Sequence, residues 1–222
     1  MTYMKKNVWL IGFAVILIGA FGAMLAARKN VNIPSPTSTA APEAQFAITA
    51  EDHIKGAQFA KVTIIEFSDF QCPACRAYYP LLNEVLKNYP NNDVRVIYKH
   101  FPLVNTHIGA EPAARASEAA ALQGKFWEMH DLIFDKQESW ATRPTRGAFE
   151  DLARELNLDI NAFRRDYDLP ALKNHVQRDL KEGIDLGVNS TPTFYLNGRK
   201  IENPRSLEDF KALIDTALAN PL

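Results

Sequence analysis

The feature that most constrains the fold is a buried-strand pattern that runs into a closely spaced cysteine pair. Residues 62–67 form a continuous run rich in β-branched side chains, which is typical of a strand covered on both faces of a sheet. Cys72-Pro73-Ala74-Cys75 follows shortly afterwards, and apolar side chains then recur at helical spacing to about Tyr89. The sequence therefore predicts a strand-to-helix turn that carries both cysteines.

The rest of the chain predicts an α/β domain with a helical block set inside it. Residues 94–99 indicate a second strand, joined to the first by a right-handed crossover. Almost every segment of residues 106–186 has a helical pattern, and helices are predicted at 111–122, 126–135, 146–156 and 169–184. Asn197-Gly198 predicts a hairpin between strands at 193–196 and 199–201, and residues 206–218 predict an amphipathic helix with Ser206 as its N-cap.

The cysteine pair indicates thiol chemistry. The chain has two cysteines, so no framework of scattered disulfides is available to stabilise the fold. A helix start directs free N–H groups and the positive end of the dipole at the Cys72 sulfur, and Pro73 suits the first helical position. Cys72 is therefore predicted to be the exposed attacking thiol and Cys75 the resolving one.

Two other interpretations of the pair remain open. Cys-x-x-Cys is half of a zinc knuckle, but no second cysteine pair exists, and the five histidines are too scattered in sequence to complete a site. An inert surface disulfide is the other alternative. The sequence predicts no metal site.

Glu66 lies on the first strand, six positions before Cys72. A carboxylate on an apolar strand must be desolvated unless it is paired, and one at this position could assist proton transfer to or from Cys75. The alternative is that Glu66 faces solvent at a sheet edge.

The amino-terminal segment predicts a membrane anchor. Residues 8–27 carry no charge and are long enough to span a bilayer, so residues 1–29 are interpreted as an anchor, or alternatively as a cleaved signal segment. Residues 30–45 are rich in Pro, Ser, Thr and Ala and predict a linker, and residues 46–222 form the domain. The formal net charge of −1 gives no reason to expect a nucleic-acid partner.

Four segments together resemble the DsbA-like branch of the thioredoxin superfamily, especially its membrane-anchored BdbD-type members. They are residues 66–75, 98–103, 124–127 and 191–194. The resemblance runs from about residue 50 to the end of the chain, and it implies a thioredoxin-like core with a helical insertion.

The resemblance also implies roles for three residues. Pro192 is expected to be a cis-proline facing the cysteines, with Thr191 offering backbone hydrogen bonds to a substrate chain, whereas the residues alone indicate an ordinary loop proline before a strand. Lys99, on the neighbouring strand, is expected near Glu66 as part of the catalytic set, where it would lower the pKa of that carboxyl.

The expected function is an extracytoplasmic thiol-disulfide oxidoreductase that introduces disulfides into exported proteins and needs no cofactor. The resemblance suggests reoxidation by a membrane quinone-linked oxidase of the DsbB or vitamin K epoxide reductase kind. A reductase or isomerase on the same scaffold is the nearest rival, because Pro-Ala between the cysteines does not fix the reduction potential. A non-enzymatic module that binds a metal or a peptide is a rival of another class.

Overall fold

A computed structural model describes residues 44, 46, 48–91 and 93–220, and these lie in one compact unit that spans residues 41–222. The predicted anchor and all but Ala44 of the predicted linker fall outside the described residues. Ala44 donates a backbone hydrogen bond to Gly198 O at 2.8 Å, so contact with the domain begins before residue 46. Within the described residues, no helix has the length and apolarity needed to cross a bilayer.

A five-stranded mixed sheet with the order β1-β3-β2-β4-β5 is the centre of the fold. The strands are β1 His53–Gly56, β2 Val62–Ser68, β3 Val94–His100, β4 Thr193–Leu196 and β5 Arg199–Ile201. β2 and β3 are parallel and the other pairs are antiparallel. The continuous apolar run is thus the central strand, as predicted, because helices cover both of its faces.

The described helices agree with the predicted ones at most positions. They are α1 Pro73–Asn88, α2 Ala110–Ala121, α3 Phe126–Asp135, α4 Gln137–Trp140, α5 Arg146–Glu155, α6 Ile160–Tyr167, α7 Pro170–Asp185 and α8 Leu207–Ala219. Three short elements, β1, α4 and α6, were not predicted from the sequence. For α6 the signal was present, since the Asp159 side chain accepts from the N–H groups of Asn161 and Ala162 as an N-cap.

Strand alternation divides the side chains of the sheet between two apolar layers. Ile64 and Val96 point to the side of α1 and α8, where they meet Leu82 and Phe210. On the other side, Phe67 lies in a layer that includes side chains of α7 and the segment after it. The helices α2 to α7 enclose a third apolar cluster, which includes both cysteines, so the insertion is packed directly against the cysteine turn.

The β4–β5 hairpin forms at the predicted position. Asn197 has a φ of 45° and Gly198 a φ of 81°, and two consecutive positive φ values are what a two-residue turn of this hand requires. The turn sets the register of β4, which in turn fixes the segment just before it.

Candidate active site

Cys72 and Cys75 lie in different environments although they are neighbours. Cys72 is the N-cap of α1, with extended backbone, and Pro73 opens the helix. Both residues are free thiols. Cys72 keeps 8% of its surface exposed and Cys75 keeps none, so Cys72 is the reachable sulfur, although it is less exposed than predicted.

The pKa values of the two thiols are shifted in opposite directions. Hydrogen bonding by the Cys75 thiol, with help from the backbone N–H groups of Cys75 and Ala74, outweighs burial and lowers the pKa of Cys72 to about 5. Burial raises the pKa of Cys75 well above its ordinary value. At neutral pH the pair therefore holds a thiolate at the reachable position and a protonated thiol behind it.

The peptide bond between Thr191 and Pro192 is cis, as the resemblance implied. Cys72 Sγ lies 3.4 Å from the carbonyl oxygen of Thr191, which places this loop against the attacking sulfur. The Thr191 hydroxyl is buried as well, and hydrogen bonding by Thr191 is among the causes that lower the pKa of Cys72. The loop thus brings a backbone carbonyl and a buried hydroxyl to the edge of the cysteine turn.

Glu66 lies on the central strand and is 1% exposed, so the interpretation as an edge residue was wrong. Ser68 Oγ donates to Glu66 Oε1 at 2.8 Å. Burial raises the pKa of Glu66 to about 8, and at neutral pH the group is therefore mostly a protonated acid. Its charge is among the causes that raise the pKa of Cys75, as expected for two groups that share one buried region.

The expected pairing of Lys99 with Glu66 was wrong. In the β2–β3 pairing Glu66 lies beside Tyr98, and Lys99 lies beside Phe67. Because successive residues of a strand point to opposite faces, the Glu66 and Lys99 side chains lie on opposite faces of the sheet. Lys99 Nζ lies 2.5 Å from Asp52 Oδ1 and 3.2 Å from Asp179 Oδ1. Although burial opposes the charge, these carboxylates raise the pKa of Lys99, and Lys99 belongs to a buried charge network on the face of the sheet opposite Glu66.

Asp69, which was not predicted as a site residue, organises the backbone around the pair. Its buried carboxylate accepts from Gln71 N at 2.7 Å, Leu103 N at 2.8 Å and His107 Nδ1 at 2.9 Å. Asp69 N donates to Cys75 Sγ at 3.4 Å. An acidic residue between the central strand and the cysteine pair was the signal that could have indicated this role.

Gln137, on α4, holds the same turn from the side of the insertion. Its Nε2 donates to Phe70 O at 2.8 Å and to Cys72 O at 3.1 Å. The side chain is buried, so these bonds form away from water, where leaving a carbonyl unpaired is costly.

Three of the histidines that are scattered in sequence come together in the structure. His53, His100 and His175 all contact the carboxylate of Glu118, a residue of α2 that was not predicted as a site residue. No sequence spacing indicates this cluster, because its members come from four separate elements.

The fold and the cysteine turn define a thioredoxin-fold protein with a helical insertion and a Cys-x-x-Cys pair. Residues 49–216 match the family model described as Thioredoxin, and the chain belongs to this family.

Solved structures share the same architecture. BdbD from Bacillus subtilis, in its oxidised form, has a TM-score of 0.71 at 24% identity and covers 80% of this chain and 98% of that one. A thioredoxin-like oxidoreductase from Silicibacter pomeroyi has a TM-score of 0.67 at 24% identity, with 77% and 94% covered. α-DsbA1 from Wolbachia pipientis has a TM-score of 0.68 at 20% identity, with 78% and 94% covered. The fold is that of the DsbA- and BdbD-type thiol-disulfide oxidoreductases.

Curated relatives match the domain within much longer proteins. Na(+)/H(+) antiporter NhaA 3 of Salinispora tropica is 37% identical over 172 residues, which are 76% of this chain and 25% of that protein. Na(+)/H(+) antiporter NhaA of Herminiimonas arsenicoxydans is 34% identical over 166 residues, with 75% and 25% covered. The chain spans about a quarter of the length of these relatives.

Proposed function

We propose that the protein is an extracytoplasmic thiol-disulfide oxidoreductase that introduces disulfides into exported proteins. The observation that carries the proposal is the contrast between the two thiols, in which Cys72 has a pKa of about 5 and Cys75 one well above its ordinary value. A strongly acidic Cys72 stabilises the reduced pair, and a stabilised reduced form makes the disulfide form a strong oxidant.

The exchange proceeds in two steps. A substrate thiolate attacks Cys72 Sγ of the oxidised pair, which forms a mixed disulfide and releases Cys75. A second substrate thiolate then attacks the substrate sulfur of the mixed disulfide, and Cys72 leaves as a thiolate. The substrate has lost two electrons and two protons and gained a disulfide, and the cysteine pair has gained the electrons. The low pKa of Cys72 favours the second step, because a more acidic thiol leaves faster.

Glu66 is suited to supply the proton for the first step. Cys75 leaves as a buried thiolate, which is unstable in that environment. With a pKa of about 8, Glu66 is protonated at neutral pH and can donate to the Cys75 sulfur, directly or through water. Substrate binding at the cis-proline loop, with Thr191 offering backbone hydrogen bonds, completes the proposed site.

The reduction potential of the purified protein tests the direction of exchange. We expect a reduction potential of about −120 mV, as in strong dithiol oxidases, whereas a potential of about −270 mV would assign the protein to the reductases. Oxidation of reduced ribonuclease is expected to disappear in Cys72→Ser. Turnover that survives this substitution would refute the redox mechanism and favour a non-enzymatic module.

The location and the redox partner are further parts of the proposal. The uncharged segment 8–27 supports a single membrane anchor with the domain on the extracytoplasmic side. A membrane quinone-linked oxidase of the DsbB or vitamin K epoxide reductase kind would then reoxidise the pair. We expect the full chain in the membrane fraction and a chain lacking residues 1–29 in the soluble fraction, and equal partitioning of the two would contradict the anchor.

A further inference from the structure

A small cavity lies between the central sheet and α3. It has a volume of about 10 Å³ and is lined by Glu66 from β2 and His130 from α3, which is about the room that one water molecule needs. Glu66 pairs with Tyr98 in the β2–β3 register, and the His130 ring packs on Tyr98 with the ring centroids 5.0 Å apart and the ring planes at 85°. The buried acid and the imidazole therefore border the same space.

The two nitrogens of the buried His130 ring have different surroundings. Nδ1 lies 2.7 Å from Asp131 Oδ1, and because a carboxylate accepts hydrogen bonds, Nδ1 carries the ring proton. Nε2 is buried and has no hydrogen-bond partner among the residues that the structure describes. Burial lowers the pKa of His130 although Asp131 opposes this, so at neutral pH the ring is neutral and Nε2 keeps a lone pair that can accept a proton.

Asp131 connects the ring to solvent. Its side chain is 33% exposed, and Lys55 Nζ from β1 lies 3.2 Å from its Oδ2. Although burial opposes this, hydrogen bonding by His130 lowers the pKa of Asp131, so the group is a carboxylate at neutral pH and can exchange protons with water. The titratable groups around His130 on the packed elements β1, β2, β3 and α1 are Lys55, Glu66, Tyr98, His100 and Tyr79.

We propose that His130 carries protons between Glu66 and solvent during thiol-disulfide exchange, an inference that rests on the redox function proposed above. Once Glu66 has donated its proton to Cys75, it is a buried carboxylate that must regain a proton before it can serve again. Imidazole suits this task because one of its nitrogens can accept a proton while the other releases one. His130 acts through Glu66 rather than on the sulfurs.

The protons balance over one catalytic cycle. When the proposed membrane oxidase reoxidises the pair, Glu66 passes its proton to Nε2 of His130, Nδ1 releases a proton towards Asp131, and Glu66 takes the thiol proton of Cys75. When the next substrate is oxidised, Glu66 returns a proton to Cys75, Nε2 reprotonates Glu66, and Nδ1 regains a proton from the solvent side. The electrons move only between substrate, cysteine pair and oxidase, and the ring returns to its starting form.

The release of the Glu66 proton tests the relay. In the reduced full chain, the infrared C=O stretch of the protonated acid reports Glu66, and the loss of this band in Glu66→Gln assigns it. A rapid jump from about pH 7 to about pH 9 crosses the pKa of about 8, so the band decays as the proton leaves. We expect the decay to be slower by about 10-fold or more in His130→Phe, which keeps an aromatic ring but has no nitrogen.

Two further variants separate a relay from a packing role. His130→Gln keeps a polar side chain at the cavity, but an amide does not take up and release protons at neutral pH, so its decay should be as slow as that of His130→Phe. Tyr79→Phe is the matched control, because Tyr79 lines the same cavity and its hydroxyl donates to Asp135. Loss of this hydroxyl should leave the decay at the wild-type rate.

Three outcomes would overturn the relay. They are a wild-type rate in His130→Phe, a wild-type rate in His130→Gln, and equal slowing in Tyr79→Phe. The redox function is judged separately, by the reduction potential and the oxidation of reduced ribonuclease, so failure of the relay leaves that function untouched. A decay that depends on His130 in a protein without oxidase activity would instead refute the redox function.

Discussion

Two identical side chains three positions apart differ in acidity because one begins a helix and the other lies inside it. Cys72 receives hydrogen bonds from the first turn of α1, whereas Cys75 is enclosed by apolar side chains and the buried acid Glu66. At the residue scale, burial and hydrogen bonding therefore decide which sulfur is ionised and which stays protonated.

Glu66→Gln is expected to remove a pH dependence of stability. The pKa of Glu66 is raised from 4.5 to about 8, so between these values the unfolded state loses the proton that the folded state keeps. Stability of the wild type then falls as pH rises, by at most about 1.4 kcal/mol per pH unit, and levels off above pH 8. Urea unfolding of both proteins from pH 5 to pH 8 measures the difference in slope.

The exposed Glu155 provides the control for this measurement. Its side chain is 52% exposed, so Glu155→Gln should leave the slope of stability against pH unchanged. Parallel stability curves for the wild type and Glu66→Gln would contradict the raised pKa. We also expect slower formation of the mixed disulfide in Glu66→Gln at neutral pH, by about 10-fold or more, because Cys75 loses its proton donor.

At the scale of elements, the approach of α7 to the sheet depends on a missing side chain. A Cβ at Gly183 would lie 2.6 Å from Phe101 Cδ2 and 3.0 Å from Phe67 Cδ1. Both rings are buried, so they cannot give way without disturbing the layer that they share. The glycine thus sets how closely the helix packs on the strand.

Gly183→Ala is therefore expected to destabilise the protein by about 1–3 kcal/mol through overpacking, although alanine is the better helix former by about 1 kcal/mol. Gly147→Ala, in the first turn of α5, is the control, because its nearest neighbour is Thr145 Oγ1 at 3.8 Å. That change should be neutral or stabilising. Urea midpoints of the two variants give the comparison, and equal shifts would argue against the close packing.

A second prediction at this scale concerns Gln137, which joins α4 to the cysteine turn. Gln137→Ala leaves the carbonyls of Phe70 and Cys72 without this donor. We expect the free energy of unfolding to fall by about 1–3 kcal/mol and the pKa of the Cys72 thiol to rise. Gln123→Ala is the matched control, because Gln123 also bridges two segments through its amide but does so at the exposed Asp159. Denaturation and thiolate absorbance measure both effects, and an unchanged Cys72 titration in Gln137→Ala would show that the turn holds without it.

At the scale of the whole molecule, a buried charge network joins the sheet to the insertion. Lys99 on β3 pairs with Asp52 before β1 and with Asp179 and Glu182 on α7. These pairs cross between segments that are distant in the chain, so they fix how the helical block sits on the core.

Lys99→Met is expected to lower the free energy of unfolding by about 3–5 kcal/mol, because it leaves buried carboxylates without their cation. The thiolate titration of Cys72 should stay the same in the folded variant, since Lys99 lies on the other face of the sheet from Glu66. Lys125→Met removes an exposed pair with Glu128 and should change stability by less than about 1 kcal/mol. A shifted Cys72 pKa with normal stability would return Lys99 to the catalytic set.

The local sequence pattern was enough to identify the elements that have a clear apolar period, cap or turn, and the site residues that lie on them. The apolar run of β2, the helix that starts at Pro73 and the Asn197-Gly198 turn follow from strand burial, capping and positive φ, which are local properties. Because Cys72 lies at such a local junction, the centre of the site could be predicted from the amino-acid sequence.

Which charged and polar groups meet was decided by the packing of distant elements. The β2–β3 register places Glu66 beside Tyr98 and Lys99 on the opposite face, and strand register depends on the packing of both layers. The histidines around Glu118 lie up to 65 positions from it in the chain, so no periodicity connects them. Local sequence sets what each element is, whereas the packing of elements against one another sets the partners of Lys99 and Glu118.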